Sequence, residues 1–364
     1  MNKFKKFLAQ EDTHKLLASL FAILFGLVFG LVVLFIVTPT NALRAFNYII
    51  KGGFQHNMRG LGNVMFEAAP LILTGLSVGF AFKTGLFNIG ASGQFTVGAF
   101  TAIYVGVNFT WLPTGLGWIV ASLLGMLAGM LWGVIVGFLK AQYNVNEVIG
   151  SIMMNYIGMY LVNFLIRATP YDTTFSRTLK PVHAYLPKFG LDKLFRGSSI
   201  NIAIILAIIV GIIMHIILNK TKVGFEMKAV GFNRHGAGYA GVSEKRNIIA
   251  SMAIAGALSG LGGALMYLSD AGVYISTINV LLPQGFSGIA IALLAQSNPI
   301  ATIFSALFIS HITYGGSGLQ TLGLQPEIIE VITSAIIYVS ALSILVKGFL
   351  AHRTKKWRDA DYDN

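Results

Sequence analysis

From Leu16 to Leu43 no residue carries a charge, and the run is built mostly of Leu, Val, Phe, Ile and Ala. About 20 apolar residues cross the hydrocarbon of a bilayer as a helix, whereas the apolar core of a signal peptide is only about 7–15 residues long. Leu16 to Val37 is therefore expected to be a retained first transmembrane helix. Further apolar runs follow at Leu61 to Phe82, onward to about Asn108, Gly117 to Leu139, Val145 to Arg167, Ile200 to Leu218 and Ile248 to Leu268. Two shorter ones, Leu281 to Ala295 and Pro299 to Tyr314, are joined at Ser-Asn-Pro, and a last one runs from Glu327 to Val346. Backbone polar groups in hydrocarbon must be satisfied within their own segment, so the expected fold is all-α, a polytopic transmembrane helix bundle of about ten passes.

Composition agrees: 55% of residues are hydrophobic and 11% charged, against roughly 25% charged in a soluble domain. The absence of cysteine excludes a disulfide framework, a thiol nucleophile and a zinc-thiolate site. A net charge of +12 raises nucleic acid as a partner, but the placement of the basic residues points to membrane topology instead. Lys3, Lys5, Lys6 and Lys15 precede the first pass, Lys83 and Lys140 follow the second and fourth, and six basic residues lie in Asn219 to Asn247. Lys347, Arg353, Lys355, Lys356 and Arg358 close the chain. With ten passes all of these fall on one side, which the positive-inside rule makes cytoplasmic, together with both termini. The chain thus divides into a cytoplasmic segment 1–15, a transmembrane domain 16–348 interrupted by the loop 219–247, and a basic cytoplasmic tail 349–364. Thr169 to Ser199, on the outer side, is itself basic and fits a surface cap facing an acidic partner.

One stretch breaks the apolar pattern. Thr84 to Ala99, TGLFNIGASGQFTVGA, carries four glycines with Asn88, Ser92, Gln94 and Thr96 at membrane depth. Unpaired polar groups there cost several kcal/mol each, so the stretch is expected to face a protein interior or a water-filled path. It is a candidate passage wall; close packing of helices through its glycines is the other reading. Glu147, Ser151 and Asn155 stand at i, i+4 and i+8 and share one face of the fifth pass, a polar stripe expected to point inward. Glu67, three residues before Pro70, marks a packed, water-lined or near-surface position. Gly125, Gly129, Gly133 and Gly137 form a groove for a neighbouring helix. NEVIGSIMMNYIGMYLVNFLI from Asn146 faintly resembles PEIIEVITSAIIYVSALSILV from Pro326, in helices that run oppositely with ten passes; inverted repeats of this kind mark transporters.

Enzyme chemistry is not legible. No G-x-x-x-x-G-K-[ST] occurs, so the chain has no P-loop for ATP, and no H-E-x-x-H or other metal-ligand cluster is present. His215 and His311 read as interface residues. Glu67, Glu147 and Glu330 are too scattered in sequence to argue for an intramembrane hydrolase.

GLFNIGASGQFTVGAF, NEVIGSIMMNY, KAVGFNRHGAGYAGVSEKRN and GFSGIAIALLAQSNPIA together resemble the permease subunits of ABC importers in the branched-chain amino acid and ribose permease superfamily. The resemblance runs from about Gly60 to Val346, and the form of Leu86 to Phe95 is nearest to the nucleoside permeases. It implies a cell-membrane permease subunit, without an ATPase site or cofactor of its own, that forms a nucleoside passage with a second, paralogous permease. Cytoplasmic ATPase subunits, which bind the ATP, and an external solute-binding protein complete such systems. Lys228, Gly231, Asn233, Gly238 and Gly241 fall in the family's ATPase-coupling loop. Phe87, Asn88, Ser92, Gln94, Phe95, Glu147, Ser151 and Asn155 are the expected passage residues: the amides donate and accept hydrogen bonds and the phenylalanines stack a base. A ribose- or galactose-type sugar permease and an ion-coupled secondary transporter remain the alternatives.

Overall fold

A computed structural model describes residues 11–113, 115–169 and 171–342. The basic tail, most of the N-terminal segment and the end of the last expected pass lie outside these residues. Helices occupy every stretch expected to be a pass: α1 Glu11–Val37, α3 Asn57–Lys83, α4 Ala91–Asn108, α5 Gly117–Tyr143, α6 Glu147–Ala168, α8 Ala203–Lys220, α11 Glu244–Tyr267, α12 Gln284–Leu294, α13 Pro299–Ser317 and α14 Pro326–Ala341. Seven described spans are long and apolar enough to cross a membrane: Leu17–Val37, Ala42–Lys83, Gly117–Tyr143, Glu147–Ala168, Ala203–Lys220, Glu244–Tyr267 and Pro299–Leu322. Outside that set, α4 is diluted by Ser92, Gln94, Thr96 and Thr101, and α12 has only 11 residues, about 16 Å of helix.

The connections hold more structure than their composition suggests. The link between α1 and α3 contains the amphipathic helix α2, Ala42–Lys51, which buries Ala42, Ala45 and Ile49. His311 on α13 fastens the turn after it: its Nε2 lies 2.9 Å from the Ile50 carbonyl, and the Gly53 N–H donates to its Nδ1 at 3.4 Å. The helix expected over Gly117 to Leu139 continues to Tyr143, and Asn144 ends α5 in the left-handed region at φ 52°. Asn146 then starts α6, its side chain accepting from the Val148 N–H at 2.8 Å. The cap carries a two-residue hairpin, β1 Tyr171–Asp172 with β2 Arg177–Thr178, and the short helix α7 Leu191–Leu194. The long basic loop folds into α9, Lys222–Phe232, and α10, Arg234–Tyr239. Thr221 and Asn233 start these two, accepting from the Gly224 and Gly236 N–H groups at 3.2 and 3.0 Å.

At the centre of the bundle α5, α11 and α4 approach through glycine, as the four-residue spacing on α5 predicts. A Cβ on Gly129 would stand 2.6 Å from the Gly260 Cα, and one on Gly98 of α4 would stand 2.5 Å from the same atom. On the other side of α11, α3 is wrapped by α8, α12 and α13, and Ile72, Leu73, Leu265, Leu268 and Ile291 fill the space between them.

Candidate functional site

The polar stretch enters the bundle where α3 ends and is closed by its own side chains. Asn88 and Gln94 pair amide to amide: Asn88 Nδ2 donates to Gln94 Oε1 at 2.8 Å, and Gln94 Nε2 donates back to Asn88 Oδ1 at 3.1 Å. Asn88 also donates to Ser77 Oγ at 3.0 Å, and Ser77 donates to the Ala255 carbonyl at 2.6 Å. The Gly93 N–H, left over at the start of α4, donates to Asn155 Oδ1 at 2.7 Å, while Asn155 Nδ2 donates to the Ile89 carbonyl at 3.0 Å. Ser92 donates to the Leu282 carbonyl at 2.7 Å, and Ser259 to the Ala91 carbonyl at 2.6 Å. Five elements are thereby joined at one buried knot, and paired donors and acceptors remove most of the cost of burying them.

The predicted site residues divide accordingly. Asn88, Ser92, Gln94, Ser151 and Asn155 are all buried, so the inner part of the α6 stripe does face the interior. Ser151 Oγ has no hydrogen-bond partner among the described residues. Glu147 stands apart, at the start of α6, in an ion pair of 2.8 Å with Lys140. Phe95 is fully buried, its edge toward Tyr267 with the centroids 6.4 Å apart, and Phe87 stacks on Phe82 at 4.8 Å.

The basic loop touches this stretch directly. Gly85 takes φ 75° at the end of α3, and a Cβ on Gly231 of α9 would fall 2.6 Å from the Thr84 carbonyl carbon and 2.7 Å from the Gly85 nitrogen. Two glycines therefore permit backbone-to-backbone contact. Leu86, Val230 and Ala237 pack in one cluster beside it. Lys228 is half-buried, Asn233 caps α10, and a Cβ on Gly238 or Gly241 would meet no described atom within 4 Å. The loop also presents Phe232 and Tyr239 at 90% and 97% exposure, an aromatic surface that reasoning from glycines and charges missed.

Sequence reading also missed a cavity of about 530 Å³ among α3, α12, α13 and α14, within the roughly 300–1,000 Å³ of small-molecule sites. Glu67, Gln284, Ser287, Thr313, Glu330 and Thr333 supply its polar groups, and Phe66, Pro70, Met266 and Ile309 are among its apolar ones. Gln284 Oε1 is buried with no hydrogen-bond partner among the described residues. Glu67 and Glu330 share this cavity whereas Glu147 does not, so the three carboxylates are not one cluster. Glu67 and Glu330 stood out in sequence only singly; the other polar residues of the cavity, from Gln284 to Thr333, are more than 200 residues from Glu67. In the cap, Arg177 lies between Phe175 and Tyr274, its guanidinium carbon 4.4 and 3.8 Å from the ring centroids. A second cavity of about 470 Å³ joins Arg177 to Lys180 and His183.

Residues 60–341 match the family described as branched-chain amino acid transport system / permease component. The chain is 37% identical to the nucleoside ABC transporter permease protein NupB of Lactococcus lactis over 80% of its own length and 82% of that protein's. It is 34% identical to the guanosine ABC transporter permease protein NupP of Bacillus subtilis, over 85% and 90% of the two chains. The glucose ABC transporter permease protein TsgB13 of Haloferax volcanii is 30% identical over 80% of this chain and 78% of its own. No solved structure matches.

Proposed function

The chain belongs to the branched-chain amino acid transport system / permease component family, and from that premise we propose that it is the transmembrane permease subunit of an ABC importer for nucleosides, with ATP hydrolysis supplied by a separate subunit. The observation that carries this reading is its identity of 37% and 34% to two permeases named for nucleoside and guanosine, over at least 80% of the chain. A glucose permease at 30% makes a sugar solute the second reading. The cavity beside Glu67 supports either, because its carboxylates and the free Gln284 oxygen are acceptors and call for a solute rich in donors.

In the proposed arrangement the seven apolar spans are joined by α4, α12 and α14 to make about ten passes with both termini cytoplasmic. α6 and α14 are then the corresponding, oppositely directed helices of a degenerate inverted repeat. Segment 219–247 is the coupling loop, and the exposed Phe232 and Tyr239 suit a groove in the ATPase. Contact of Gly231 with Thr84 and Gly85 offers a short route from that groove to the polar knot. The knot is proposed as part of the passage wall: its amides are paired with one another here, so solute reaches Asn88, Gln94 or Asn155 only when the knot opens. The basic cap with Arg177 faces the external solute-binding protein, and a paralogous permease completes the passage.

The test is uptake by cells deleted for the chain and complemented with it. Labelled guanosine, uridine, ribose and glucose are compared at equal expression. Restoration of guanosine or uridine uptake alone supports the proposal; restoration of sugar uptake alone replaces it with the second reading.

A further inference from the structure

The outward faces of the long helices are not alike. On α8 the exposed side chains include Ile205, Ile209, Ile212 and Ile216, an aliphatic surface suited to lipid, and on α5 Leu123, Leu127 and Leu131, with Phe138 and Tyr143 only toward its end. The exposed face of α6 carries a ridge of Ile149, Met153, Tyr156, Tyr160 and Phe164, at i, i+4, i+7, i+11 and i+15, flanked by the exposed Ile152, Ile157 and Leu161. Tyr156 and Tyr160 are 47% and 56% exposed, and neither hydroxyl has a hydrogen-bond partner among the described residues. At 1.5 Å per residue they stand about 14 and 20 Å from the start of a helix about 33 Å long. Such depths lie near the middle of hydrocarbon about 30 Å thick, far from the headgroup level where tyrosine normally settles.

Lipid is a poor neighbour for that ridge, since an unpartnered hydroxyl in hydrocarbon is costly. A close-packed helix is a poor one as well. Helix contacts in membranes are made through small residues, and on α6 those residues, Gly150, Ser151 and Gly158, are all on the buried side. What remains is a hydrated surface. We propose that the Tyr156 and Tyr160 ridge of α6 lines the water-filled solute passage, its rings stacking the planar base of a nucleoside while water satisfies the hydroxyls. The choice of solute rests on the function proposed above; the hydration of the ridge does not. Stacking on an aromatic face tolerates any base, so this wall passes purine and pyrimidine nucleosides alike.

Because the chain has no cysteine, single thiols report on each face without background. Tyr156→Cys, Tyr160→Cys and, on the aliphatic face of α8, Ile209→Cys are made in the full chain, expressed in cells with its partner subunits and treated with a membrane-impermeant methanethiosulfonate. The expected result is labelling at positions 156 and 160 at least tenfold faster than at 209, slowed by saturating guanosine. The double alanine variant of Tyr156 and Tyr160, at normal abundance, should lose most of the uptake. Labelling at 156 and 160 no faster than at 209 overturns the proposal, whatever the solute. Labelling slowed by glucose but not by guanosine supports the hydrated wall, overturns base stacking and refutes the nucleoside reading separately.

Discussion

Asn88 shows why a polar residue inside the bundle is tolerated and what it does there. Its amide is matched by Gln94 and by Ser77, so removing it leaves Gln94 buried with nothing to bond. A lost partner of this kind costs about 1–3 kcal/mol, while replacing both partners by apolar groups comes close to neutral. Asn88→Ala should therefore lower the melting temperature of the detergent-solubilised protein by several degrees. Asn88→Ala with Gln94→Met should recover part of that loss, and the thermal unfolding of the three proteins checks it. Recovery of stability without recovery of nucleoside uptake would assign the amides a part in the passage beyond holding helices. Gly231 carries a different kind of constraint: any side chain meets the backbone of Thr84 and Gly85. Gly231→Asp should push α9 off the Thr84 and Gly85 backbone and reduce uptake at least tenfold per folded permease, with immunoblot used to normalise labelled uptake to abundance.

At the scale of elements, the helices were legible and their partnerships only partly so. Apolar runs placed every long helix, because length and hydropathy are properties of one segment. The glycine ladder on α5 predicted a close neighbour but not which one; that α11 supplies Gly256 and Gly260 opposite it is a matter of two segments more than 100 residues apart. The knot was half legible: the stretch and the α6 stripe stood out, but the pairing of Asn88 with Gln94 depends on the turn between α3 and α4. Glu67 and Glu330 were visible as isolated carboxylates, but nothing local marks Gln284 or shows that the three share one cavity. Helix ends shifted for local reasons, such as the left-handed Asn144 that lets α5 run to Tyr143. Gly129→Val places a branched side chain against the α11 backbone, an overpacking that costs about 1–3 kcal/mol or more. It should cut the amount of folded protein in the membrane severely, whereas Leu127→Val on the exposed face of the same helix should not. In the cap, aromatic rings hold Arg177 in place. Arg177→Glu should weaken stimulation of uptake by the solute-binding protein more than tenfold at equal permease abundance, since the proposed docking of the basic cap on that protein depends on its charge.

The whole molecule is a bundle whose two ends differ in kind. One end carries the basic helices α9 and α10 in contact with the start of the polar stretch, and the cap with its stacked arginine lies on the preceding connection, across α8. Between them a cavity lined with acceptors and an α6 ridge with unpartnered phenols provide surfaces that neither lipid nor close helix packing explains. A permease that takes its energy from an ATPase docked on α9 and α10 accounts for this distribution. An ion-coupled carrier has no need of the exposed Phe232 and Tyr239. The most direct test of the central claim is uptake of labelled guanosine by cells holding the chain and its partners, measured after collapse of the proton and sodium gradients and, separately, after depletion of ATP at intact gradients. The account predicts that uptake survives the first treatment and stops in the second; uptake that follows the ion gradients and persists without ATP would contradict it.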